Sequence, residues 1–147
     1  MIPHTPKAVT FLAQRLLSHV LPELRTPFGA ADVALLGILV EMIGQDFDRA
    51  AHARLEDIRE MREIFGEARQ LGLDDALVAR MDDARALDLS DVRIAQLDES
   101  HARHAAALIE LHARVEQLGT PEAARLDRLV WQHLERHAER LRYDVSF

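Results

Sequence analysis

Three Thr-Pro steps divide this chain and largely decide what it can fold into: Thr5-Pro6, Thr26-Pro27 and Thr120-Pro121. Threonine is a good N-cap, and proline is tolerated at the first helical position because its missing N–H has no partner to lose there. Asp74 and Ser90 read as two further caps, Pro22 as a stop, and Gly72 and Gly119 as left-handed residues closing helices. This punctuation predicts helical segments over about 6–21, from between 27 and 32 to 71, 75–87, 91–118 and 121–143. No stretch alternates apolar and polar residues as a half-buried strand would. With 48% hydrophobic and 29% charged residues in 147 positions, the chain can bury a core of its own. The expectation is all-α: an antiparallel helical bundle of about five helices, three of them long, forming a single domain over 1–147.

The same composition narrows the function. There is no cysteine, which removes disulfides and thiolate metal sites. The net charge of −7, with acids and bases interspersed, argues against a nucleic-acid phosphate surface. The N-terminus lacks the basic start and apolar run of a signal peptide. The longest apolar stretch, Val33 to Gly44, is interrupted by Glu41 and falls short of the ~20 residues that span a bilayer. A cytoplasmic protein with no membrane partner is expected. Lys7 is the only lysine, a bias expected of a GC-rich bacterial genome. No Gly-rich phosphate loop, nucleophile elbow or other catalytic motif is present.

The second segment changes character along its length. Ile58, Met61 and Phe65 form one stripe, as on a surface helix, whereas the stretch from Val33 to Ile43 is apolar nearly all round. A helix apolar on every side must be covered on every side. Either this helix is central within the monomer or its second face meets another subunit, and the expectation is a homodimer through Val33, Leu35, Leu39 and Met42, with association with a protein partner as well. Glu41, inside this run, needs an arginine partner such as Arg15 or Arg25, or a role beside Asp48 and His52.

Histidines are the other unusual feature. On a helical wheel, Ile94, Leu97, Leu108, Leu111 and Val115 define an apolar arc that also takes in His101, His104 and His112. Leu126, Val130, Leu134 and Leu141 define a second arc, which includes His133 and His137. The tight connection at Gly119-Thr120 makes these two segments antiparallel neighbours. Equal distances from the turn then put His101 and His104 near the level of His137, with His133 less than about a turn away. His101, His104, His133 and His137 are therefore the candidate metal ligands, suited to zinc or iron, with Asp98, Glu99, Glu135 and Glu139 as nearby carboxylates. The competing reading is structural histidines bonded to carboxylates at the core margin. The Glu-x-x-His pair that di-iron bundles place on each of two helices is absent. The leading expectation is thus a small bundle protein acting through self-association or partner binding, with a histidine/carboxylate metal-binding bundle of redox or hydrolytic role as the alternative.

Overall fold

A computed structural model describes residues 4–144. Among them are five α-helices and no strand: α1 (Thr5–Arg15), α2 (Pro27–Ala68), α3 (Asp75–Arg85), α4 (Ile94–Leu118) and α5 (Pro121–Arg140). The all-α class is as expected, and α3 packs on α4, which packs on α5, as in a bundle. Two compact units are present, one of Met1–Ala50 with Tyr143–Phe147 and one of Ala51–Arg142.

Most boundaries are local chemistry. The Thr120 hydroxyl accepts from the Ala123 N–H at 3.1 Å, Asp74 accepts from Leu77 N–H at 2.9 Å, and Thr26 accepts from Gly29 N–H at 3.3 Å. Gly72 and Gly119 adopt φ of 62° and 61°, the left-handed conformation that closes a helix and that a Cβ disfavours. Two boundaries differ from expectation. Thr5 is already helical, with His4 before it making no side-chain cap. Ser90 does not start α4: its hydroxyl and N–H both donate to Asp88, at 2.6 and 2.9 Å, and α4 begins only at Ile94. Serine so placed bonds a neighbouring carboxylate in the loop in preference to a helix N–H. Beyond α1 the chain widens into a π-turn over Leu16–Val20 and tightens into a 3₁₀ turn over Leu21–Glu23. Pro22, which has no N–H to give the ladder, accounts for that loss of α geometry.

In the unit of Ala51–Arg142, the core is built from Ile58, Met61 and Phe65 of α2, Met81 of α3, Leu111 of α4 and Val130 of α5. The expected stripe of α2 and most of the α4 arc are buried, but Ile94, Leu134 and Leu141 of the expected arcs are exposed.

In the other unit, α1 lies against the glycine side of α2. A Cβ on Gly37 would stand 2.6 Å from the Leu17 side chain, and one on Gly44 would stand 3.2–3.3 Å from Thr10 and Val9. The buried residue of α1 is Ala13, while Leu12 of α1 and Val20 beyond it are exposed. Tyr143 and Asp144 are tied to α2 by the Tyr143 hydroxyl donating to Asp46 at 2.8 Å. A two-way bond between the Gln45 side chain and the Asp144 backbone, at 2.7 and 3.0 Å, completes the tie.

Of the apolar run of α2, Leu35 and Leu39 are exposed while Val33 and Met42 are half-buried. By length and composition α2 and the turn after it (Pro27–Leu71) also pass as a membrane span, with a mean hydropathy of 1.6 over an 18-residue window of which 11% is buried. Glu41 is half-buried, and its Oε2 has no hydrogen-bond partner among the described residues.

Candidate functional site

The densest polar cluster lies in the unit of Ala51–Arg142. It is assembled from i, i+3 and i, i+4 spacings that put side chains on one helix face. Asp57 and Glu60 are one turn apart on α2. His133, Arg136, His137 and Arg140 form a continuous row on α5, and His101 comes from α4. Asp57 is buried, 2% exposed, and Glu60 is half-buried.

Asp57 is the hub. Its Oδ2 accepts from His137 Nδ1 at 2.6 Å and stands 3.3 Å from His101 Nε2, and its Oδ1 accepts from Arg140. Glu60 accepts from His133 Nδ1 and Arg136 Nε, both at 2.8 Å, and from Arg140 as well. The rings of His101 and His137 stack with centroids 5.6 Å apart, and His133 is tilted against His137 at 6.2 Å.

The electrostatics favour two ionised carboxylates. Burial alone would raise the pKa of Asp57, but bonds from His101, His137 and Arg140 outweigh it and hold it at about 2. For Glu60 burial likewise raises, and Arg140, Arg136 and His133 together bring it to about 2. Arg140, which burial would push down, is raised instead by Glu60 and Asp57. Two arginines thus offset two carboxylates inside the cluster.

Of the four expected metal ligands, the structure brings three together. His101, His133 and His137 meet around Asp57 and Glu60, at the relative heights the antiparallel register implied. His104 stands apart with both nitrogens occupied. Its Nδ1 donates to the Ser100 carbonyl at 2.7 Å, its Nε2 accepts from Arg62 Nε at 3.2 Å, and its ring stacks on Phe65. Burial, then the Arg62 charge, pushes its pKa down, so His104 is neutral. Arg62 also donates to the Leu87 carbonyl at 2.6 Å, tying the loop after α3 to this core histidine.

The carboxylates are not those nearest in sequence. Asp98 pairs with Arg54 and Glu99 with Arg103. Asp57 and Glu60, the acids that hold the histidines, carry a faint sequence signal: Asp57 heads the row of Met61, Ile64 and Ala68, all buried. Glu41, Asp48 and His52 belong to no metal-competent group among the described residues.

Three groups do bring ligand atoms within 4.8 Å of one another: Asp57 with His101 and His137, Asp57 with Glu60 and His133, and His112 with Glu116 and Asp127. Each can hold a metal ion by distance and donor type. No family model, curated protein or solved structure matches the chain.

Proposed function

We propose that this chain works by association with a second copy of itself through the outer face of α2. The observation that carries the reading is the exposure of Phe28, Leu35, Leu36, Leu39, Ile43 and Phe47, which are 43–87% exposed. At ~100° per residue these six fall in one arc of roughly 120°, on the opposite side of α2 from Gly37 and Gly44. Fully burying each such side chain stabilises by about 1.5–3 kcal/mol. Association costs on the order of 4–15 kcal/mol, and six side chains from each copy, half covered, return about 9–18 kcal/mol against it. A protein surface suits this face better than lipid. Asp32 stands within it, exposed, at a cost of about 2.5–3.5 kcal/mol towards a bilayer centre. Lys7, Arg15, Arg25 and Arg49 are scattered singly, with none of the basic clustering that anionic membranes attract.

Light scattering at micromolar concentration should give twice the 16.6 kDa chain mass. Leu39→Glu should return a monomer with unchanged helix content, because the side chain is exposed. A clean monomer for the native chain would overturn the reading, and so would flotation of the native chain with phosphatidylcholine vesicles.

A second reading has its own observation: His137 and His133 each give Nδ1 to a carboxylate, the arrangement that fixes an imidazole so that Nε2 faces a metal. On this reading His101, His133 and His137 hold zinc or iron. Elemental analysis after chelator-free purification tests it. His137→Ala should abolish the retained metal and lower the melting temperature only when metal is present.

A further inference from the structure

The third ligand group differs from the inner cluster in charge. Around Asp57 and Glu60, Arg136 and Arg140 already supply the positive charge a cation would bring. Near the α4–α5 turn, His112 Nε2 lies 2.8 Å from Asp127 Oδ1 and 3.8 Å from Glu116 Oε1. Among the described residues no lysine or arginine pairs with Glu116 or Asp127. Within ion-pair distance, the His112 imidazole is the one partner of the two carboxylates among the described residues, so no arginine or lysine offsets them there.

The geometry is that of a partly built coordination sphere. His112 and Glu116 are i, i+4 on α4, so they share a face. Asp127 reaches the same point from α5, whose start beside α4 is set by the Gly119-Thr120 turn. Ligands at ~2.0–2.2 Å from a tetrahedral zinc ion lie roughly 3.3–3.6 Å apart. The 2.8 and 3.8 Å separations bracket that range, so small rotations complete the set. The His112 side chain is 18% exposed and Glu116 60% exposed, which gives an ion access without opening the bundle. Glu116 and Asp127 also line a groove of about 400 Å³ with Thr120 and Trp131, room for a further ligand.

We propose that His112, Glu116 and Asp127 form a surface site for a first-row divalent transition-metal ion. Zinc is the class that one imidazole and two carboxylates suit, and a fourth position is open to water or a small anion in the groove. The site is independent of dimerisation through α2 and of the inner histidine cluster.

Trp131, the only tryptophan, stands edge-on to the His112 ring at 5.7 Å and serves as a built-in reporter. The full chain, stripped with chelator, is titrated with Co²⁺ while tryptophan fluorescence and visible absorption are followed, and then with Zn²⁺ in competition. Saturable quenching at one equivalent, reversed by Zn²⁺, is expected. Glu116→Gln, at an exposed position that leaves folding intact, and His112→Ala should both lose that equivalent, whereas His137→Ala should keep it. The proposal is overturned by absence of saturable binding, or by binding that survives Glu116→Gln and His112→Ala. If that surviving equivalent is lost in His137→Ala, the ion belongs to the inner cluster. Circular dichroism of each variant separates loss of ligand from loss of fold.

Discussion

His101 of α4 and His137 of α5 stack with ring centroids 5.6 Å apart, and both rings address the same oxygen of Asp57 on α2. Three helices are thereby joined through one buried carboxylate, which makes Asp57 the position where the bundle is most sensitive to a small chemical change.

Asp57→Asn keeps the shape and removes the charge. Arg140 then loses half of its pairing and His137 faces an amide, so the cost should be about 3 kcal/mol, at the low end for breaking a buried ion pair. Removing the exposed partner Arg80 from Glu110 should cost less than about 1 kcal/mol. Urea unfolding of the two variants beside the native chain measures the contrast. Equal losses would mean that Asp57 is no hub.

Acid should act in two stages. His104 has a lowered pKa, so it favours the folded state fully above its ordinary value of 6.5, and that contribution is lost as pH falls below it. Asp57 and Glu60 drop from ordinary values of 3.8 and 4.5 to about 2, so their contribution is present above those values and disappears as pH falls towards 2. Unfolding free energy measured against pH should decline gently below 6.5 and steeply below about 5. Asp57→Asn should flatten only the lower branch.

Two glycines of α2 should respond to an added side chain with opposite sign. Gly66 has nothing within 4 Å of an added Cβ, so Gly66→Ala should stabilise by about 0.5–1 kcal/mol through helix propensity. At Gly37 the added carbon meets Leu17 at 2.6 Å, and Gly37→Val should destabilise by about 1–3 kcal/mol by pushing α1 away. Thermal melting of both variants gives the signs directly, and a stabilised Gly37→Val would contradict the packing described.

Thr120→Ala removes the oxygen that takes the Ala123 N–H and should cost about 1 kcal/mol. Because this cap fixes the start of α5 beside α4, the same variant should also weaken metal binding at His112 and Asp127. Calorimetry of the stripped chain, with and without Zn²⁺, reads both effects.

How much of this was legible from residues alone follows the distance over which each interaction acts. Thr120, Asp74, Gly72 and Gly119 mark helix ends because a cap or a left-handed turn is settled within three or four residues, so residue type is nearly sufficient. Ser90 is the exception, since Asp88 two residues away competes for its hydroxyl. The stripe of Ile58, Met61 and Phe65 was equally plain, because helical periodicity alone tells which side avoids water. The meeting of His101, His133 and His137 was within reach as well, because a tight turn at Gly119 sets the register of the two helices that carry them.

The acids those histidines bond were not legible. Asp57 and His137 are 80 residues apart, and Asp57 looks like any charged residue of an amphipathic helix until α2 is laid against the α5 row. His104 could not be told from His101 on the wheel, since both fall in the same arc. Arg62 and Phe65, both contributed by α2, hold it in the core, apart from the cluster around Asp57. Which face of Val33–Ile43 stays uncovered was likewise decided in three dimensions, by Gly37 and Gly44 admitting α1 on one side. Sequence determined the helices and the sides that avoid water, since those depend on neighbours along the chain. Tertiary structure decided which charges those sides enclose, because pairing energy depends on contacts made only once distant helices pack.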